Sequence, residues 1–279
     1  MKAKKVLSVL SALLIATTFT ACGNSNAVKE EITAKEEITV KVGVVGEVNE
    51  MWNPVIEELG REGINIELIS FTDYTTPNRA LADGETDLNA FQHYAYLNNE
   101  IKNNGYKITS IGDTFISAMN IYSDKVSEVG EIGEGSKIAI PNDATNGGRA
   151  LKVLEAAGLI EIDPNAGDSP EKSNIVSNPL NLELVEVDAA NVYALLPDVT
   201  AAVINCNYAL DNGLHPGEDS IFQDSVSYYE GKSYINLIAT RTEDANNETY
   251  LKIVQSYQSE AVKEVYADTF KGAYVPAWE

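Results

Sequence analysis

A chain of 279 residues with 44% apolar and 22% charged side chains has material for one large or two modest domains, which excludes a disordered chain and a multi-span membrane protein. The formal net charge of −22 argues against a generic nucleic-acid role, because a phosphate backbone is bound by Lys and Arg that displace its counterions. Acidity on this scale governs solubility and repulsion from anionic surfaces and says little about a substrate.

The chain opens on a basic stretch, Met1-Lys2-Ala3-Lys4-Lys5, followed by apolar runs over Val6–Leu10 and Ala12–Ala16. That stretch is too short to span a bilayer and suits the hydrophobic region of a signal peptide. It ends in Phe19-Thr20-Ala21-Cys22-Gly23, which resembles a lipobox with Phe19 where Leu is usual. Residues 1–22 are therefore expected to be a lipoprotein signal peptide, with Cys22 acylated and anchoring the chain at the extracytoplasmic face of the cell membrane; two acyl chains hold where one does not. Removal would leave 17 Lys and Arg against 42 Asp and Glu. Acylation of Cys22 leaves Cys206 without an intramolecular disulfide partner, so the fold must stand without one. Residues 23–37 are polar, lack a hydrophobic period and read as a flexible tether.

From Ile38 strand and helix signals alternate. Ile38–Val45 alternates and then becomes fully apolar, as a strand entering a buried sheet does. Trp52, Val55, Ile56 and Leu59 mark one helical face, closed by Gly60 and Gly63. Ile64–Phe71 is a second strand, Pro77 opens a short helix that Gly84 ends, and Thr86–Phe91 is a third strand before a helical run to Gly105. This β-α-β-α-β-α order predicts a mostly parallel, helix-covered sheet. A new unit is expected after Ile108, with Thr114–Tyr122 as an extended crossing. It continues with a strand at Lys137–Ile140, a loop and helix over Asn142–Gly158, strands at Leu182–Val187 and Ala201–Ile204, and a helix over Ala190–Leu196. Tyr234–Thr240 is extended again, and two amphipathic helices close the chain. The pattern predicts two α/β lobes, 38–118 with 235–279 and 119–234, joined by crossings near 118 and 235. A cleft would lie where ligands meet the carboxyl ends of strands.

Catalytic signatures are missing: there is no GxSxG, HExxH, P-loop or strand-following GxGxxG, and His93 and His215 are too few for a three-histidine metal site. No cofactor is expected, and Gly130–Gly135 reads as a turn. Three segments differ from plain surface or core. The first, Phe71–Leu97, places Tyr74, Phe91, His93 and Tyr96 at strand-to-helix transitions, either lining a cleft or serving as ordinary core and rim aromatics. The second, Ile140–Leu151, turns from strand to helix; its free N–H groups and Arg149 suit an anion, or Asn146 and Thr145 simply cap a helix beside a surface Arg. The third, Ala202–Ala209, leaves a buried strand with Asn205 and Asn207, whose amide oxygens suit an ammonium. Asn236 on the return crossing is either a network residue or a ligand contact. Cys206 reads as inert and buried.

These segments, FxDYxxPNxALADGExDxNxFQHxxYL, IPNDxTNxxRAL and AAVINxNYAL, with the closing Lys271–Ala277, resemble the NlpA family of methionine-binding lipoproteins from about Ile38 to the end. The resemblance implies a two-lobe periplasmic-binding-protein fold, type II-like, that closes on an amino acid and docks on the permease of an ABC importer. It implies that Arg149 holds the ligand carboxylate, that Asn205 and Asn236 bind its polar head with Asn146 in the same site, and that Tyr74, Phe91, His93 and Tyr96 surround the side chain. Ala90 stands where that family carries an aromatic, and Cys206 lies between the two asparagines. The alternatives are another apolar amino acid, a methionine-containing peptide, a surface interaction protein that has lost transport, and, last, a lipid-anchored enzyme. If Arg149 is a ligand contact alone, Arg149→Ala should weaken binding more than tenfold and leave the fold intact.

Overall fold

The computed structural model describes residues 37–225, 231 and 233–278. The signal peptide, the acylated Cys22 and the tether up to residue 36 lie outside the described residues. Strand β1 (Ile38–Val45) pairs in parallel with β2 (Ile64–Phe71) from Ile38↔Ile64 to Val45↔Phe71. Between them a 3-10 turn, Glu50–Trp52, runs into α1 (Asn53–Gly60), and the expected helical face buries Trp52, Val55 and Leu59. Helix α2 (Pro77–Asp83) begins on Pro77, whose missing N–H costs nothing in a first turn, and ends on Gly84 in the left-handed region at φ 80°. The third strand, β3, runs Leu88–His93 rather than Thr86–Phe91. The Glu85 and Thr86 N–H groups still close α2 by bonding the Ala80 carbonyl, so the ladder cannot start earlier.

Helix α3 (Tyr94–Asn104) ends on Gly105, and β4 (Ile108–Asp113) follows. β4 corrects the expectation of a new unit after Ile108. Next come β5 (Phe115–Ser117), β6 (Met119–Tyr122), β7 (Lys137–Pro141), α4 (Ala144–Ala156), a small hairpin of β8 (Glu161–Ile162) and β9 (Ile175–Ser177), and β10 (Glu183–Val187). The helix expected over Ala190–Leu196 is instead two 3-10 turns, Ala189–Asn191 and Tyr193–Leu195. Pro197 has no N–H to continue an α ladder beyond Leu196, which itself keeps helical backbone angles. β11 (Ala201–Asn205), α5 (Cys206–Asp211), β12 (Ser220–Phe222), β13 (Asn236–Arg241), α6 (Glu248–Tyr257), α7 (Glu260–Asp268) and β14 (Tyr274–Pro276) complete the described chain.

Two five-stranded sheets result, β2-β1-β3-β13-β4 and β10-β7-β11-β6-β12. In the first, β1, β2 and β3 are parallel while β13 runs antiparallel to both β3 and β4. In the second, β6 is antiparallel to β11. Trp52, Leu59, Ile253, Tyr257 and Tyr266 pack α1, α6 and α7 onto one face of the first sheet, and Leu81 and Leu97 bring α2 and α3 onto the other. Leu151 and Leu154 of α4 pack against Ile121, Ile138 and Val203 of the second. A third cluster joins the strand ends of both sheets: Val45, with Phe71, Tyr74 and Phe91 against it, meets Tyr122, Ile204 and Tyr208. The lobes thus meet where β1, β3, β7 and β11 all end.

Gly112 on β4 allows α6 its close seat, since a Cβ there would lie 2.3 Å from Val254 Cγ1. Gly112→Ala should lower the unfolding free energy by about 1–3 kcal/mol in urea titration. Adding Val254→Ala should recover part of that loss.

Candidate functional site

Across β3 and β13 the pairing runs Asn236↔His93 and Leu237↔Gln92, then jumps to Ala239↔Asn89. β3 therefore holds one residue more than its partner, a bulge that breaks the alternation of side chains. Ala90, Phe91, Gln92 and His93 consequently all border one cavity between the lobes. An amide network clamps the bulge from behind. Asn78 and Gln92 exchange hydrogen bonds of 2.7 and 2.6 Å, and Asn89 Nδ2 donates to the Pro77 carbonyl at 2.9 Å. Asn78, Asn89 and Gln92 are at most 2% exposed, so their polar atoms are satisfied by one another, by the backbone and by the Thr86 hydroxyl, which donates to Asn89 Oδ1 at 3.2 Å.

The cavity brings together every candidate named from the sequence: Tyr74, Phe91, His93, Tyr96, Asn146, Arg149, Asn205 and Asn236. Tyr74, Phe91 and Tyr96 form a triangle with ring centroids 5.9–6.1 Å apart. The Tyr96 hydroxyl donates to the Tyr74 carbonyl at 2.9 Å. Met51, Met119 and Cys206 add sulfur to the lining, and Ala90 leaves space beside Phe91. Burial pushes the Cys206 thiol up to about 12, so it is an inert part of the wall.

His93 ends β3 and caps α3, its Nδ1 accepting the Tyr96 N–H at 3.1 Å. The proton therefore sits on Nε2, which faces Asn146 Oδ1 at 3.5 Å. Desolvation first, and the Arg149 charge second, push its pKa down to about 3, so the ring is neutral.

The start of α4 corrects one expectation. Asp143 already fills the anion position there, accepting the Thr145 and Asn146 N–H groups at 3.2 and 2.8 Å. A ligand carboxylate cannot take that place. Asp143 also takes the Asn146 side-chain NH2 at 3.0 Å, turning its oxygen toward Asn205, whose Nδ2 donates to it at 2.7 Å. That leaves the buried Asn205 Oδ1 without a hydrogen-bond partner among the described residues. Asn207 is reversed from expectation. Its oxygen accepts the Tyr74 hydroxyl, and the group left buried without a partner is Nδ2, a donor.

Arg149 lies in the second turn of α4 and is 3% exposed. Its Nη2 donates to the Ser117 carbonyl at 2.6 Å and to Asp224 Oδ2 at 3.2 Å, and the guanidinium carbon sits 4.7 Å from the Tyr234 ring centre. Asn236, opposite His93, is held through its carbonyl by the Thr114 N–H at 2.8 Å. Asp224, Ser117 and Tyr234 escaped sequence reading: one carboxylate among many, 75 residues from its arginine, carries no local signal. The pairing also overturns the expectation that Arg149→Ala leaves the fold intact. Removing one partner of a buried ion pair strands the other, at a cost of about 3–5 kcal/mol.

The arrangement thus offers an unpartnered acceptor, an unpartnered donor and a buried cation beside an aromatic and sulfur lining. Comparison with known proteins places the chain as a whole. The model of the NlpA lipoprotein family matches residues 40–278. The D-methionine-binding lipoprotein MetQ of Salmonella typhimurium is 37% identical over 278 residues, covering 98% of each chain. A solved nutrient-binding protein from Burkholderia cenocepacia bound to methionine is 40% identical, with a TM-score of 0.81 over 86% of this chain and all of that one. The substrate-binding protein of a methionine transporter from Streptococcus pneumoniae is 36% identical, with a TM-score of 0.81 over 86% of this chain and 96% of its own.

Neutral His93 sets a pH dependence of stability. The unfolded chain takes a proton on this ring below about pH 6.5, whereas the folded chain does not until about pH 3. More protons bind the unfolded state between those values, so stability is lost as pH falls through that window, by up to about 1.4 kcal/mol per unit from this group. Urea titrations from pH 7 to 5 should show the loss, and His93→Gln should flatten it; an unchanged slope would assign it to other groups.

Proposed function

This chain belongs to the NlpA lipoprotein family, and we propose that it captures methionine outside the cytoplasm and delivers it to the permease of an ABC importer. It acts as a substrate-binding protein and not as an enzyme. The observation that carries the reading is the pair of buried, unpartnered amide atoms on one strand-to-helix turn, Asn205 Oδ1 and Asn207 Nδ2. A buried polar atom without a partner costs about 1–3 kcal/mol. An α-amino acid relieves both at once, its ammonium donating to Asn205 Oδ1 and its carboxylate accepting from Asn207 Nδ2 beside the Arg149 guanidinium.

Asn146 orients Asn205, and Asn236 faces the head group from the other lobe. Tyr74, Phe91, His93 and Tyr96 surround the side chain, where a thioether gains roughly 0.3–1.5 kcal/mol from each sulfur–ring contact. The cavity, of about 60 Å³, suits one amino acid better than a peptide, given that a single water needs roughly 10–15 Å³. Residues 38–118 with 235–279 act as one lobe and 119–234 as the other, closing about the crossings near 118 and 235 and presenting a closed surface to the permease. The chain is held at the extracytoplasmic face of the membrane through acylated Cys22. Among the described residues no helix is long and apolar enough to cross a membrane.

Calorimetry on the chain freed of its first 22 residues and refolded to strip carried-over ligand tests the reading. One-to-one binding of methionine, tighter than that of other apolar amino acids, is expected. Silence across an amino-acid panel would remove it, and a preference for another member would move the substrate. Asn205→Ala, which strands no charge, should weaken methionine binding by about 1–3 kcal/mol, roughly 5- to 150-fold.

A further inference from the structure

Asp224 does not border the cavity, yet it is built into the back of the site. Its side chain is 1% exposed and accepts from Arg149 Nη2 and from the Met119 N–H, both at 3.2 Å. Its own N–H donates to Asn120 Oδ1 at 2.9 Å, and Asn120 Nδ2 is tied in turn to the Pro216 carbonyl at 2.9 Å. The carboxylate is thereby locked against β6, and it locks the guanidinium in turn.

Among the described residues four side chains set the charge at the head-group end of the cleft. Arg149 contributes one positive charge and Asp224 one negative. His93 is neutral, since its buried Nδ1 accepts a backbone N–H. Asp143, behind Asn146, is turned onto the α4 N-terminus, whose partial positive charge it meets. Among the described residues the Arg149–Asp224 pair is therefore electrically balanced before any ligand arrives. A ligand of net charge zero leaves that balance intact. An anion or cation brings an uncompensated charge into a buried, weakly screened site.

We propose that Asp224 is a specificity-determining residue: by balancing Arg149 it makes the cleft select zwitterions and reject amino-acid analogues that carry only the carboxylate or only the ammonium. The inference rests on the amino-acid-capture reading above and adds a rule that an Arg-lined site alone would not obey. An unbalanced guanidinium would favour any carboxylate, including α-keto acids.

The test uses three ligands of one shape at pH 6: methionine, its α-keto acid (net charge −1) and methionine amide (net charge +1, below the ordinary amine pKa of roughly 8). Calorimetry compares the unaltered chain with Asp224→Asn and Asp224→Glu. In the unaltered chain and in Asp224→Glu both charged analogues should bind at least tenfold more weakly than methionine. In Asp224→Asn the ratio of keto-acid to methionine affinity should shift at least tenfold toward the keto acid. If Asp224→Asn is too unstable to titrate, thermal shift gives the same ranking, and the keto acid should then raise its Tm more, relative to methionine, than it does in the unaltered chain. A ratio in Asp224→Asn within twofold of the original, or an unchanged Tm ranking, overturns the proposal and leaves Asp224 as a prop for Arg149. An unaltered chain that bound none of the three would overturn the capture reading and this inference together.

Discussion

A guanidinium that is nearly sealed from water must be paired, and much of this molecule is arranged around that demand. Arg149 reaches from α4 to the Ser117 carbonyl at the end of β5 and to Asp224 just beyond β12. Those partners lie 32 and 75 residues away in the chain, so the cation ties β5 to the body of the second sheet. The same pair gives the cleft a fixed donor array without a net charge. A lone buried charge would cost far more than any contact it made, and a pair costs less only when its geometry is held, as Met119 and Asn120 hold it here.

The opposite wall obeys a different constraint. A regular β3 would turn half of its side chains away from the cleft. The extra residue in β3 brings Ala90 through His93 to the cavity edge, and the Asn78–Asn89–Gln92 amides keep the bulge from relaxing. Polar residues that look misplaced in an apolar strand are thus structural, holding the backbone that aims Phe91 and His93. Behind them the aromatic triangle presents ring faces and edges, which suits a polarisable side chain.

Contacts across the cleft mouth hold the two walls together. The Tyr74 hydroxyl bonds Asn207, the Tyr208 hydroxyl donates to the Thr72 carbonyl at 3.3 Å, and Asp211 accepts the Glu47 and Val48 N–H groups at 3.0 and 3.1 Å. Gly46, at φ 86°, permits the last of these, since a Cβ there would stand 2.0 Å from the Asp211 carboxylate. Tyr74 therefore serves both as lining and as bridge, so the ligand pocket and the lobe contact share atoms.

Much of this was legible in the residues themselves. Hydrophobic period, Pro77 and Gly84 at the ends of a short helix, and a β1 that alternates and then turns apolar report local backbone preference, which acts over a few residues and so reads directly from order. The long motifs around Phe71–Leu97, Ile140–Leu151 and Ala201–Leu210 carried seven of the eight candidate residues that border the cavity, because each motif sits where a strand ends and a helix begins, and Asn236 stood out as an amide within an apolar strand. Short β4 and β12 escaped, having no period to detect, and at 189–195 Pro197, lacking an N–H, stopped the α ladder that the apolar spacing suggested. Only the tertiary structure chose Asp224 from among the carboxylates, gave the α4 N-terminus to Asp143, and turned Asn207 to offer nitrogen instead of oxygen. Those choices depend on which groups meet across long stretches of chain and which are left without a partner. Burial makes such pairings obligatory, but no local pattern of residues records them.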